Sequence, residues 1–455
     1  MGKLFGTDGI RGRANEEPMT AKTMMRVGAA AGRYFMRGDH QHEVIVGKDT
    51  RLSGYMVEQA LSAGFMSVGM NVTLLGPLPT PGVAIRTRES SADLGVMISA
   101  SHNPYRDNGL KLFGPNGRKL SDEAEGTIES WAVGENAPSP GHQENKIGRL
   151  SRDNCAQERY QDFVMSVRSN TADFAGLRVV IDCANGAGYK VAIRVLRELG
   201  VEVIPLGVEP DGMNINERCG STSPGAMCKA VLDSRAHIGF ALDGDADRVL
   251  AADELGALLD GDHLMAALAT EMQRQGKLIG NGVVATQMSN LGLERYLNSL
   301  GLQLIRTQVG DRYVTEQMFD NGYNLGGEQS GHIILSDHNA TGDGLVTVVR
   351  ILSMLCERGK AASEVCRMFT PLPQRLTNIP CLSPDVLEKH EVESVISDCE
   401  GKLAGIGRLL VRYSGTEEAV RIMVEAEEER MVCSVTRAIA GAVEKCVQNS
   451  FDGME

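Results

Sequence analysis

Three times along the chain a short Val/Ile-rich run, a helical pattern and a second apolar run follow one another. That recurrence constrains the fold more than any other feature. The first unit reads as the strand Glu43–Gly47, a helix from Ser53 to about Met70, the strand Asn71–Gly76, a short helix near Pro81–Arg88 and the strand Leu94–Ser99. The second reads as the strand Leu177–Asp182, a helix over Gly188–Leu199 and the strand Val201–Leu206. The third reads as the strand Gly282–Thr286, a helix near Leu291–Leu300 and the strand Leu302–Thr307. Strand, helix and strand at this spacing build a parallel sheet covered by helices. Beyond Thr370–Gln374 (TPLPQ) the pattern is smaller: a helix near Pro384–Ile396, the run Arg408–Tyr413, the strand Val420–Ala426 and a last helix. The expectation is an α/β protein of three similar α/β domains with mixed, largely parallel sheets, plus a smaller C-terminal α+β domain. The breaks are expected at 1–153, 154–255, 256–370 and 371–455, with the Pro/Gly-rich segment Gly134–Asn145 as a loop near the first.

Composition narrows the function. The 455 residues are 42% hydrophobic and 23% charged, as in soluble globular proteins, and the formal net charge is -13. No Lys/Arg-rich block offsets that charge, so no nucleic-acid partner is expected. An anionic small substrate requires positive charge placed locally. No apolar run is long enough for a membrane span, and Met1–Gly12 lacks the apolar core of a signal peptide, so no membrane partner is expected. Gly6 stands where a myristoylation motif needs Ser or Thr. The ten cysteines are scattered without CxxC or Cys/His zinc spacing, which reads as free thiols in a reducing cytoplasm.

Four glycine-punctuated polar loops each follow an apolar strand, where open α/β sheets bind ligands. In Ser99-Ala100-Ser101-His102-Asn103-Pro104, Pro104 stiffens the loop, so Ser101 suits a nucleophile with His102 beside it, or the loop is an ordinary turn. In Asp243-Gly244-Asp245-Ala246-Asp247-Arg248, three alternate carboxylates can converge on one hard cation. An EF-hand count also fits Asp243, Asp245, Asp247 and Glu254, but Arg248 replaces the required glycine and the flanks read as strands. Gly326–His332 (GGEQSGH) offers Glu328, Ser330 and His332 to sugar hydroxyls, or is a hairpin whose polar residues face water. Arg412-Tyr413-Ser414-Gly415-Thr416, with Arg421, suits a phosphate cradle, or is a turn with a surface arginine.

In this order the four loops resemble those of the α-D-phosphohexomutase family. Gly6–Gly12 (GTDGIRG), Gly47–Gly54 (GKDTRLSG), Asp107–Lys111 (DNGLK) and Val309–Val314 (VGDRYV) extend the resemblance across all four expected domains. The resemblance implies that Ser101 is a phosphoserine and that Asp243, Asp245 and Asp247 hold Mg2+ together with the Ser101 phosphate. It implies that Glu328 and Ser330 grip sugar hydroxyls, and that Arg412, Ser414, Gly415, Thr416 and Arg421 bind the unreacting phosphate. Arg11, His102, Lys111, Arg248 and His332 would surround the transfer, with Lys111 as acid or base. The string GEQSGH resembles the family's glucosamine-phosphate branch, which implies interconversion of the 6- and 1-phosphates and supply of UDP-N-acetylglucosamine synthesis. Glucosamine or glucose 1,6-bisphosphate would prime Ser101, and the chain would be a cytoplasmic monomer or homodimer. Sister mutases acting on glucose or mannose phosphates, and a non-catalytic phosphosugar-binding protein, are the rival readings. Tyr413 departs from the proline expected in the phosphate loop; it either loosens phosphate binding or packs elsewhere.

Overall fold

The computed structural model describes residues 4–6, 8–134, 147–413 and 418–452. Most of the expected loop Gly134–Asn145 therefore lies outside the described residues. The first sheet contains β1 (Phe5–Gly6), β2 (Gly9–Arg13), β3 (Glu43–Lys48), β4 (Asn71–Pro77), β5 (Leu94–Ile98), β6 (Asp107–Phe113) and β7 (Leu150–Arg152), in the order β1-β2-β6-β5-β3-β4-β7. β5, β3, β4 and β7 pair in parallel, whereas β6 runs antiparallel between β5 and β2. The second sheet contains β8 (Arg178–Asp182), β9 (Glu202–Leu206), β10 (Ile238–Leu242), β11 (Val249–Asp253) and β12 (Leu258–Leu259), in the order β12-β11-β10-β8-β9. The third contains β13 (Gly282–Thr286), β14 (Gln303–Thr307), β15 (Leu325–Gly327) and β16 (Ile333–Leu335), in the order β14-β13-β15-β16. The fourth is antiparallel, β17 (Gln374–Pro380), β18 (Gly407–Tyr413) and β19 (Ala419–Ala426), with β19 central.

The expected fold class is what the chain adopts. One local difference has a clear cause. Leu258–Leu259, read from sequence as part of the third domain, is the edge strand of the second sheet, because β11 turns back on itself through Glu254–Ala257. The first three sheets belong to one compact unit, residues 1–288 and 301–368. The fourth sheet belongs to a second unit, residues 289–300 and 369–455. The helix Leu291–Ser299, which links β13 to β14, falls in that second unit.

In the first unit the same event occurs three times. A parallel strand in the body of the sheet ends, and the chain returns as an antiparallel neighbour: β5 to β6, β10 to β11 and β15 to β16. The three returning loops are those singled out in the sequence. The strands that aim them are buried along their whole length because both faces carry helices.

A buried joint braces this unit. The helix Gly344–Arg358 starts at Asp343, whose Oδ1 accepts from Leu345 N and Val346 N at 3.1 and 3.0 Å. The fully buried Tyr160, on the helix Ala156–Ser166, donates its hydroxyl to the same oxygen at 2.8 Å. Burial pushes the Asp343 carboxyl up from 3.8 to about 6, although these hydrogen bonds oppose it. Between those two values the folded state binds more protons than the unfolded chain, so this group's contribution to stability is full below the lower value and is lost as pH rises to about 6. Asp343→Asn keeps a capping oxygen but cannot titrate. The Tm of wild type minus that of Asp343→Asn should therefore fall as pH rises from about 4 to about 6, and a constant difference across that window would refute the assignment.

Candidate active site

Ser101 follows β5 with a left-handed backbone, φ +52°. A non-glycine residue holds that conformation at a cost of roughly 1–2 kcal/mol, so its surroundings must impose it. Ser101 N donates to Ser99 Oγ at 2.9 Å, and Ser99 Oγ donates to Asp49 Oδ2 at 2.6 Å. The Ser101 carbonyl accepts from Arg51 Nη2 at 2.9 Å and from Asn216 Nδ2 at 2.8 Å. Arg51 is completely buried and directs its remaining donors to Asp49 and to the carbonyls of Asn103, Pro104 and Asp107. One guanidinium thus organises the whole serine loop. Gly244 lets the metal loop pass beneath it, since a Cβ there would lie 2.6 Å from the Ser101 carbonyl oxygen. So held, Ser101 Oγ points at Asp243 Oδ2, 2.5 Å away, with His102 Nδ1 at 3.4 Å. Burial, reinforced by the Arg248 and Arg11 charges, lowers His102 to about 4, so its ring is neutral at pH 7.

Asp243, Asp245 and Asp247 line the β10–β11 turn, all buried, each with an oxygen within 4.8 Å of the others. Burial and the charges of Asp247 and Asp245 push the Asp243 carboxyl well above its usual range. Burial also opposes ionisation of Asp247, but Lys111, His332 and Arg248 outweigh it and hold that carboxyl at about 2. Lys111, on β6, sits 2.9 Å from Asp245 Oδ2 and 2.8 Å from Asp247 Oδ2. Burial disfavours its charge, yet Asp245, Asp247 and Asp8 raise it well above the ordinary lysine value. Lys111 therefore keeps its proton. Asp245 Oδ1 and Asp247 Oδ1 are buried and accept no hydrogen bond. Unsatisfied carboxylate oxygens beside a third buried aspartate are a donor set for a hard cation such as Mg2+. The flanks are strands, so the EF-hand reading is excluded.

The β15–β16 return is a hairpin, but Glu328 and His332 are buried in it and only Ser330 is exposed. Burial raises the Glu328 carboxyl. The His332 ring lies over Gly342, where a Cβ would come within 2.5 Å of Nε2. Its Nε2 is 3.4 Å from Asp311 Oδ2, and neither ring nitrogen makes a hydrogen bond. Backbone pairing of Arg248 with His332 joins this hairpin to the metal loop. Arg11 pairs with Asp8, which also pairs with Lys119, and Lys119 reaches Asp311 Oδ2 at 2.5 Å. Arg11, Ser101, His102, Lys111, the three aspartates, Arg248, Glu328 and His332 are thus gathered in one place. Sequence reading assigned no role to Arg51, Asn216, Asp8, Lys119 or Asp311. Three of these, Arg51, Asp8 and Asp311, lie in the strings that carried the resemblance, and that was the available signal; Asn216 and Lys119 had none.

In the second unit Arg412 and Arg421 are directly opposed across β18 and β19. Burial and the Arg421 charge lower the Arg412 guanidinium. Ser414, Gly415 and Thr416 lie outside the described residues. Tyr413 packs on the core of this unit and donates its hydroxyl to the Cys381 carbonyl at 2.9 Å. Of the two readings of Tyr413, packing elsewhere is the one observed.

Three α/β sheets that aim a serine, a carboxylate triad and a Glu/His hairpin at one place, with a small antiparallel domain after them, define a phosphohexose mutase. Four successive segments match the domain profiles of the phosphoglucomutase/phosphomannomutase family: α/β/α domain I over residues 2–136, domain II over 158–256, domain III over 260–372 and the C-terminal domain over 376–442. The chain is 56% identical over 446 residues to a phosphoglucosamine mutase of Paramagnetospirillum magneticum, covering 97% of this chain and 99% of that one. It is 57% identical over 447 residues to a phosphoglucosamine mutase of Zymomonas mobilis, covering 97% and 99%. Among solved structures, a phosphoglucomutase/phosphomannomutase family protein of Burkholderia thailandensis superposes with a TM-score of 0.80 at 22% identity, over 97% of each chain. An Aspergillus fumigatus N-acetylphosphoglucosamine mutase, solved with GlcNAc-6P and magnesium, has a TM-score of 0.68 at 18% identity, over 98% of this chain and 96% of that one. The chain belongs to the phosphoglucomutase/phosphomannomutase family, the α-D-phosphohexomutases, and is an enzyme of the mutase type.

Asn216→Ala removes one of the two side-chain donors on the Ser101 carbonyl without touching the triad. Loosening the serine by a fraction of an ångström should lower kcat about ten- to a hundredfold and leave KM for the phosphosugar nearly unchanged. Steady-state kinetics in which KM moved and kcat did not would show that Asn216 does not position the nucleophile.

Proposed function

We propose that the chain interconverts glucosamine 6-phosphate and glucosamine 1-phosphate through phosphorylated Ser101 and a glucosamine 1,6-bisphosphate. The observation that carries the chemistry is Ser101 Oγ, held in a strained loop 2.5 Å from one aspartate of a buried triad. The amino-sugar reading is supported by relatives at 54–57% identity that are phosphoglucosamine mutases. In the first half-reaction the sugar O1 forms a bond to phosphorus as the bond from phosphorus to Ser101 Oγ breaks. The proton of the sugar hydroxyl passes to a base of the site. Lys111, which holds its proton, is the acid proposed for the departing Ser101 Oγ. Arg248 and Arg11 offset charge on the transferring group, and Glu328 and Ser330 hold sugar hydroxyls. Mg2+ bound by Asp243, Asp245, Asp247 and the Ser101 phosphate would supply further charge neutralisation there.

The bisphosphate then turns round, and Ser101 accepts the 6-phosphoryl group, leaving the 1-phosphate. Arg412, Ser414, Gly415, Thr416 and Arg421 are proposed to hold whichever phosphate is not reacting. Glucosamine or glucose 1,6-bisphosphate is proposed as the activator that phosphorylates Ser101. A cytoplasmic monomer or homodimer acting on a small phosphosugar is the setting proposed for this chemistry.

The substrate is tested by kcat/KM on glucosamine, glucose and mannose 1-phosphates with Mg2+ and trace bisphosphate. A preference for the amino sugar of about a hundredfold, some 2.7 kcal/mol, is expected. Comparable rates would move the chain to a sister branch of the family. Ser101→Ala should abolish turnover and retain bisphosphate binding, and a variant with a tenth of wild-type activity would overturn the nucleophile assignment.

A further inference from the structure

β3 and β5 begin side by side, and the residues just before them bring three metal-ligating groups together. His40 and His42 precede β3, and Asp93 precedes β5. The two imidazole rings lie 4.1 Å apart, inclined at 64°. Both turn to the same carboxylate oxygen: His40 Nε2 is 2.7 Å and His42 Nδ1 is 3.3 Å from Asp93 Oδ1. The other oxygen, Asp93 Oδ2, accepts from Glu43 N at 2.9 Å, which fixes the direction in which Oδ1 points. His42 and Asp93 are largely enclosed, with side chains 6% and 15% exposed, whereas His40 is 57% exposed and closes the cluster from the solvent side. One ligand atom from each residue lies within 4.8 Å of the others.

We propose that His40, His42 and Asp93 form a site for a borderline transition-metal ion, with Zn2+ as the chemical type, separate from the Asp243–Asp247 site. Two imidazoles and one carboxylate select such an ion over Mg2+, which takes oxygen ligands. Three protein ligands, one of them the half-exposed His40, leave a fourth position to water. The Glu43 N–H bond to Asp93 is the outer contact that orients a ligating carboxylate. A divalent ion replaces the protons that otherwise lie between the imidazoles and Asp93, and a chain of net charge -13 favours its capture. The site lies at the amino ends of β3 and β5, whereas Ser101 follows the carboxyl end of β5. That strand has 5 residues, so the two sites stand about 17 Å apart along it. A bound ion there ties the starts of two adjacent parallel strands and takes no part in phosphoryl transfer.

Cobalt distinguishes this site from the carboxylate triad, because a nitrogen-ligated ion of low coordination number absorbs visible light far more strongly than an octahedral, oxygen-ligated one. The full chain would be titrated with Co2+ in excess Mg2+. One equivalent of strongly absorbing Co2+ is expected in wild type and in Asp245→Asn. His40→Ala should weaken Co2+ binding at least about tenfold and leave the mutase rate in Mg2+ unchanged. Asp93→Asn, which keeps an acceptor for Glu43 N, should weaken it likewise while retaining the wild-type circular dichroism. A wild-type spectrum with only the weak octahedral bands, or strong bands that persist in His40→Ala and Asp93→Asn, would overturn the proposal.

Discussion

Three carboxylates on alternate residues of one tight turn, all out of contact with water, are the constraint around which the first unit is organised. At separations within 4.8 Å, each ionised pair repels by about 3–4 kcal/mol even with substantial dielectric screening. Summed over the turn with all three ionised, that would be comparable with the roughly 5–15 kcal/mol by which an ordinary domain is stable, which is why the Asp243 carboxyl is pushed up. The turn therefore exists only with positive charge supplied to it from elsewhere in the chain. Lys111 supplies part of it from β6, which is why that strand enters the first sheet antiparallel, next to β5, and delivers a buried lysine to residues more than a hundred positions later. Arg248 adds a second cation from the turn itself. Two carboxylate oxygens still remain unsatisfied, and with Asp243 they could hold a metal ion.

The loops around the triad share a second property. Ser101, Ala184, Asn185, Asn216 and Ala246 all have positive φ without being glycine. They also touch one another: Asn216 donates to the Ser101 carbonyl, Ala187 N donates to the Gly244 carbonyl, and Thr50 Oγ1 donates to the Asn185 carbonyl. Strained backbone gathered at one place, in mutual contact, persists because each loop fixes the next. The serine consequently presents its oxygen in one geometry rather than sampling several. Phosphoryl transfer, which depends on alignment and charge more than on covalent steps, gains most from such fixing.

Much of this was legible in the sequence, and what was not legible has a common cause. The parallel strands β3, β4, β5, β8, β9, β13 and β14 follow from local runs of Val, Ile and Leu, and they fall within a residue or so of their expected positions. The metal loop was legible because its donors lie within five residues of one another. β2 and β6 were missed as strands because their sequences, GIRGR and DNGLKLF, are broken by glycine and charge, and their pairing with each other is long-range. Arg51 shows the same limit. A charged residue just before a helix reads as surface, and only the assembled serine loop, with its array of inward carbonyls, makes burial of a guanidinium favourable. The buried Glu328 and His332 differ from an exposed hairpin only through the packing of the metal loop against them, which no local pattern records.

The second unit presents the opposite electrostatic problem. Arg412 and Arg421 face each other across a non-local strand pair, and like charges at directly opposed positions destabilise a sheet. A protein of net charge -13 has ample carboxylates with which to neutralise them, and Arg408 on the same strand is paired in that way with Glu425 at 2.8 Å. Arg412 and Arg421 are directly opposed farther along the same two strands, near the end of their pairing. A dianion placed between two opposed guanidiniums turns their mutual repulsion into attraction, which is the physical basis of the phosphate role proposed for this pair. The same logic governs the triad with the signs reversed. In both units, like charges that the fold gathers are what the proposed ligand would offset.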